Sequence, residues 1–149
     1  AKYLGDAVDK VRRQEHKALM AEGRYDLKGT KYSWQYNPQN MNAKQWRDFK
    51  CLRESALKTA RAWAIKELAM SLWHYISKTW AKKGWKRWLS WALRSRLEPI
   101  KKVARMIKNH LWGILNAVVL KVTNGPAEGI NSRIKMIKVR SRGFRNKYR

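Results

Sequence analysis

Pro99-Ile100-Lys101-Lys102-Val103-Ala104-Arg105-Met106-Ile107-Lys108-Asn109-His110-Leu111-Trp112-Gly113-Ile114-Leu115 decides the fold class. Ile100, Val103, Ala104, Ile107, Leu111, Ile114 and Leu115 recur at steps of three and four, which lines them along one face of a helix. Pro99 suits a first helical turn, because its missing N–H would have no partner there anyway. The spacing predicts one continuous amphipathic helix from Pro99 onward.

The same period extends in both directions. Leu4, Ala7, Val8, Val11, Ala18 and Leu19 predict a helix over 1–22 with Gly23 as its stop. Residues 23–41 carry Gly23, Gly29, Asn37-Pro38 and Asn40 among aromatics, the composition of an ordered loop or short extended stretch. Asn42 caps a helix to about Arg53 with Trp46, Phe49 and Cys51-Leu52 on its apolar side. Ser55 is expected to cap a longer helix, 56–80, with Leu57, Ala60, Ala64, Leu68, Leu72 and Tyr75 in register. Gly84 reads as a break, followed by a helix from Trp85 to Leu97 carrying Trp88, Leu89, Ala92 and Leu93. Residues 118–123 fit either a helix end or a short strand. The turn Asn124-Gly125-Pro126 then opens a last helix to Arg142, closed by Gly143. The expected architecture is all-α.

Charge narrows the partners. The 149 residues hold 35 Lys and Arg against 10 Asp and Glu, a net charge of +25, with an ordinary 44% of apolar residues. Such a chain folds around a core but repels itself unless a polyanion or acidic partner neutralises it. A solitary enzyme acting on a neutral small molecule is a poor fit, and nucleic acid is the first partner to consider. The excess is uneven: residues 1–75 carry 15 basic and 8 acidic side chains, residues 76–149 carry 20 and 2. Glu98 and Glu128, the two late acids, stand out against that background. The lone Cys51 excludes an internal disulfide framework. His16, His74 and His110 are too scattered for a zinc site, and no apolar run reaches a membrane span. The first residues lack both a signal core and an initiator Met, so the chain is expected to derive from a longer one.

Two stretches can carry function. Trp80, Trp85, Trp88 and Trp91 lie among Lys82, Lys83, Lys86, Arg87 and Arg94. Indoles interleaved with cations can stack on bases, although Trp more commonly anchors a helical core. A Lys- and Trp-rich membrane-surface helix fits this segment but not the chain around it. In the last helix, Glu128, Asn131, Lys135, Lys138 and Arg142 share one stripe, while Ile130, Ile134 and Ile137 form an apolar stripe expected to face a core. An acid in a first turn complements the helix dipole and can close a capping box. One carboxylate by itself does not hold a catalytic metal.

The wording of the run Thr123-Asn124-Gly125-Pro126-Ala127-Glu128-Gly129-Ile130-Asn131-Ser132-Arg133-Ile134-Lys135, followed by Arg142-Gly143-Phe144-Arg145-Asn146, adds more than its period. It closely resembles the C-terminal signature of the ISL3-family DDE transposases of bacterial insertion sequences. Ala7-Val8-Asp9-Lys10-Val11-Arg12-Arg13, Leu27-Lys28-Gly29-Thr30-Lys31-Tyr32, Leu52 to Leu57 and Ile107 to Leu115 resemble the same family, so the likeness spans essentially the whole chain.

That resemblance implies a ribonuclease-H-like transposase whose two aspartates and one glutamate bind Mg2+ or Mn2+ and cleave and join DNA by two-metal phosphoryl transfer. Glu128 matches the glutamate as catalytic residue and metal ligand; Asp6 and Asp9 match neither aspartate, which are expected upstream of Ala1. Residues 1–122 then correspond to the family's helical insertion, and 123–149 to the catalytic Glu helix and a basic tail. Asn131 and Lys135 are placed to orient a phosphate or the ligand itself. Lys138, Arg140, Arg142, Arg145, Lys147 and Arg149 match backbone-phosphate contacts. The expected partner is DNA, with no membrane and no small-molecule substrate, possible homo-oligomers, and a bacterial cytoplasmic, nucleoid-associated location. By itself the chain is expected to bind DNA without cutting it. The alternative is a non-catalytic basic helical DNA- or RNA-binding protein.

Overall fold

Helix α1 (Lys2–Ala21) buries Leu4, Val8, Val11 and Leu19, as the apolar spacing requires. Ala18 faces solvent instead, and the stripe passes through Glu15, a buried acid. The helix stops where expected. Gly23 adopts φ +74°, its N–H donates to the Met20 carbonyl, and Arg24 N–H reaches back to Leu19. This paired closure uses the left-handed conformation that glycine adopts without a Cβ clash. The computed structural model describes residues 2–120 and 125–140, and among these every regular element is helical.

Residues 24–42 are ordered by a few anchors. Leu27 and Trp34 are buried; the Arg12 guanidinium donates to the Leu27 carbonyl at 3.1 Å, and Thr30 Oγ1 accepts from the Trp34 indole at 3.3 Å. Short 3-10 turns at Tyr32–Trp34 and Pro38–Asn40 replace the extended stretch that was one of the options. Helix α2 (Ala43–Ser55) begins with a complete capping box: Asn42 accepts from Gln45 N–H and Gln45 accepts from Asn42 N–H. Phe49 sits edge-on between Trp34 and Trp63, 5.0 and 5.1 Å between ring centres. Cys51, expected on the apolar side, is exposed.

Helix α3 (Leu57–Ser71) departs most from expectation. Of the expected stripe, Leu57 and Leu68 face outward, 69% and 38% exposed, whereas Ala60 and Ala64 are half-buried against the core and Leu72 is buried. The buried face is Thr59, Ala62, Trp63, Ile65, Lys66 and Ala69. In an alanine-rich helix almost any face looks apolar. The buried face instead combines small residues with Ile65, Lys66 and one large indole, Trp63, which meets Phe49 of α2. Ser55 is not the cap: its hydroxyl turns back to the Leu52 carbonyl. Glu15 of α1 is. Its carboxylate accepts the N–H groups of Lys58 (3.0 Å) and Thr59 (2.7 Å) and the Thr59 hydroxyl (2.5 Å). The buried Lys66 ammonium donates to the Trp34 carbonyl at 3.0 Å and meets Glu67 at 2.7 Å.

The helix expected to run to residue 80 ends at Ser71, passes through a 3-10 turn at Leu72–His74, and gives way to α4 (Lys78–Arg94). Gly84 lies inside α4 and breaks nothing. An added Cβ there would sit 2.8 Å from Leu72 Cδ2 and 3.1 Å from the Tyr75 ring, so the glycine serves close approach. Trp85 and Trp88 fill the core beneath, and the Trp88 indole donates to the Ile65 carbonyl of α3 at 2.8 Å.

The opening stripe forms two helices, α5 (Glu98–Asn109) and α6 (Leu111–Leu120), because the chain turns at His110, whose N–H bonds to the Met106 and Ile107 carbonyls. The apolar phase survives the turn. Ile100, Ala104 and Leu115 are buried, with Val103, Ile107, Leu111 and Ile114 packed against them. Residues up to Leu120 are helical; the remainder of the ambiguous 118–123 segment lies outside the described residues. Helix α1 packs on α3 and α5, and α4 on α3, α5 and α6. Helix α7 (Gly125–Arg140) completes the described chain.

Replacing Glu15 by Ala is expected to destabilise the chain by about 2–3 kcal/mol in urea denaturation, since charge-assisted bonds to otherwise unpaired helix N–H groups are lost. The exposed Glu22→Ala control should stay within about 0.5 kcal/mol. Gly84→Ala should lower the melting temperature. Gly113→Ala, with nothing within 4 Å of its added Cβ, should raise stability by up to about 1 kcal/mol.

Candidate nucleic-acid interface

Helix α7 starts at Gly125, one residue before the expected Pro126, which puts Glu128 in its first turn. Glu128, Asn131, Lys135 and Lys138 follow at steps of three and four along the backbone and so share a face. Glu128 is the sole acid of the helix sequence, against Arg133, Lys135, Lys138 and Arg140. Asn131 and Lys135 are exposed. Of Glu128, Lys138 and Arg140 the backbone position is described; Arg142, Arg145, Lys147 and Arg149 lie outside the described residues, as does Gly143.

The apolar stripe of this helix does not face the core of this chain. Ile130, Ile134 and Ile137 are 59, 45 and 65% exposed, and Met136 joins them at 51%. The hydrophobic core is filled by α1 to α6 and the loop before α2, with Trp34, Trp63, Trp85 and Trp88 as its largest pieces, and none of the described side chains of α7 belongs to it.

Several acids of the rest of the chain are engaged in structure. Asp9 pairs with Arg12 and Arg13, Asp26 with Arg24, Glu67 with Lys66, and Glu15 caps α3. Glu98, the other late acid, opens α5 and bonds to Lys101 at 2.5 Å. That hydrogen bond, and then the lysine's charge, hold its carboxyl below the ordinary carboxylate value. Glu98 is thereby accounted for as a first-turn acid.

Among the described residues no three His, Cys, Asp or Glu side chains converge where they could hold a metal. A divalent cation of the hard, oxygen-seeking class wants about six ligands. One glutamate does not meet that need, so the described residues do not fit such an ion by themselves. No helix among the described residues is long and apolar enough to cross a membrane.

The sequence gives little sign of a cleft of about 560 Å³ between the start of α1, the 35–39 loop and the end of α3, where Asp6, Gln35, Asn37, Gln39 and His74 line it beside Met70. Its one signal is the alternation of amides at 35, 37 and 39, on a loop with no helical period to expose it. The tryptophans divide more evenly than the core expectation allowed: Trp85 and Trp88 are buried, Trp80 and Trp91 are exposed.

A family model of ISL3-type transposases, described as a transposase, matches residues 1–149. The chain is 26% identical over 148 residues to the transposase for insertion sequence element IS1001 of Bordetella parapertussis, covering 98% of this chain and 36% of that protein. It is 30% identical over 122 residues to the transposase for IS1557 of Mycobacterium tuberculosis (strain CDC 1551 / Oshkosh), covering 80% of this chain and 27% of the relative. It thus spans about a third of the length of the curated relatives it matches. No solved structure matches it significantly. The chain belongs to the ISL3 family of transposases.

Proposed function

We propose that this chain is one region of an enzyme that cleaves and joins DNA at the ends of a bacterial insertion sequence, and that Glu128 is the catalytic carboxylate it contributes. Residues 1–122 serve as the helical insertion and 123–149 as the catalytic helix and basic tail of a ribonuclease-H-like transposase. The observation that carries this is Glu128 in the first turn of α7, heading a face of Asn131, Lys135 and Lys138 within a family match that spans the chain.

A carboxylate on a rigid helix offers a fixed oxygen ligand, and the cations beside it draw in the DNA phosphate that must meet it. Since the described residues bring no cluster of three such donors together, the other ligands for Mg2+ or Mn2+ come from elsewhere in the complete enzyme. When bound, those ions supply activation of water or a DNA 3′-hydroxyl and stabilise in-line phosphoryl transfer. Asn131, one turn on, orients the Glu128 carboxylate or a phosphate, and Lys135 neutralises that phosphate. Lys138, Arg140, Arg142, Arg145 and Lys147 extend the contact along the DNA backbone without reading sequence. The enzyme then works in the bacterial cytoplasm on nucleoid DNA, with the exposed Ile130–Ile134–Ile137 stripe covered by other parts of the enzyme or a second copy.

Affinity of this chain for duplex DNA should fall on the order of a thousandfold between about 50 and 200 mM salt, measured by fluorescence anisotropy. A flat salt profile removes the phosphate contacts. In the full-length transposase, Glu128→Gln should lower strand cleavage with Mg2+ by at least about a hundredfold while leaving DNA binding intact. Undiminished cleavage takes Glu128 out of the active site.

A further inference from the structure

Helix α4 has two unlike sides. Ala81, Trp85, Trp88, Leu89 and Ala92 are buried against the bundle, which fixes which side chains face out. Trp80, Lys83, Arg87 and Trp91 follow at steps of three and four on the opposite side, and all four are exposed. Trp80 is 62% and Trp91 39% exposed, unlike the fully buried Trp85 and Trp88. The Lys83 ammonium lies over the Trp80 ring, 5.1 Å from its centre. Lys82 and Lys86 flank the ridge, and α4 has six basic residues and no acid. Arg94, at the far end, turns back onto Ser90.

We infer that this ridge is a binding surface for single-stranded DNA, with Trp80 and Trp91 stacking on unpaired bases while Lys83 and Arg87 between them meet the phosphates. The choice of occupant follows from charge and from the indoles. Cations alone suit any nucleic acid. Two large rings held out in water on a convex helix can stack on the flat π-face of a base, and in a duplex those faces are already stacked on each other. The indoles are eleven residues apart on one face, about 16 Å along the axis. That is roughly five nucleotides at the 3.4 Å spacing of a stacked strand. A lipid surface is the poorer fit. No Leu, Ile or Phe joins the two indoles on the ridge, and the apolar side an interfacial helix would insert is already spent on the core. The inference shares with the proposed function only the premise that DNA is the partner; it is independent of Glu128.

The test is fluorescence anisotropy on labelled strands of roughly 20 nucleotides, within the range such surfaces cover: oligo-dT, an abasic strand with the same backbone, and a duplex. The W80A/W91A double variant should bind oligo-dT at least about tenfold more weakly, since each stacked base is worth roughly five- to a hundredfold. It should bind the abasic strand and the duplex as the parent does, with an unchanged salt slope. K83Q/R87Q should weaken oligo-dT and the abasic strand together and reduce the salt slope by about 1.4, twice the single-strand value per phosphate. Circular dichroism confirms the fold of each variant, and W80A alone, at the more exposed position, should still lose at least about threefold. Parent-like binding of oligo-dT by W80A/W91A overturns the inference, as does an equal loss on the abasic strand. So does transfer of the two indoles into phosphatidylserine vesicles with strand affinity unchanged. Duplex binding without single-strand binding defeats this inference alone, whereas failure to bind any DNA defeats the proposed function as well.

Discussion

The carboxylate of Glu15 joins two helices that are far apart in sequence. It takes up the first N–H groups of α3 and the Thr59 hydroxyl, and it does so from the buried face of α1. A buried carboxylate is tolerated only when hydrogen bonds replace its water, and a helix start needs partners for its N–H groups. Each requirement is met by the other. Once α3 is fixed at its N-terminus, Trp63 falls against Phe49, Lys66 against the Trp34 carbonyl, and the Ile65 carbonyl towards Trp88. The loop, α2 and α4 are thus all registered against one helix whose start is set by a side chain from another.

This also explains where sequence patterns were sufficient. The features readable from neighbours in the chain were local ones: the α1 stripe, the Gly23 stop, the Asn42 cap, and Pro99 in the first turn of α5. Their physics is confined to a few consecutive residues. The cap of α3 was not readable, because its acid is more than forty positions away and looks like one more surface glutamate. The face of α3 was misjudged for a related reason: leucines at helical spacing suggest a core, yet small residues and one indole fit the neighbours better. Gly84 reads as a breaker by propensity, whereas its role depends on Leu72 and Tyr75 arriving above it. The turn at His110 is invisible to a period that continues through it.

For the candidate site, the sequence placed Glu128, Asn131, Lys135 and Lys138 on one helix and one face, since that needs only the helical repeat. It assigned the isoleucines of the same helix to a core which α1 to α6 fill without them. Charge followed the same division of labour. Asp9, Glu15 and Glu67 are enlisted in ion pairs or a helix cap, and the second half owes its cationic excess to composition, with 20 basic and 2 acidic side chains.

The Trp88 indole bond to Ile65 has a geometrical consequence for the outside of the molecule. Packing of apolar side chains tolerates some rolling of a helix about its own axis, but a directional N–H···O bond to a fixed carbonyl does not. A roll by one residue position, about 100°, would carry Trp88 away from α3 and swing the outer ridge sideways. The bond therefore works as an azimuthal lock. Together with the buried Ala81, Trp85, Leu89 and Ala92 it fixes the bearing of Trp80, Lys83, Arg87 and Trp91 in the frame of the whole bundle, so that a surface some distance from the core inherits its aim from what is packed and bonded inside it.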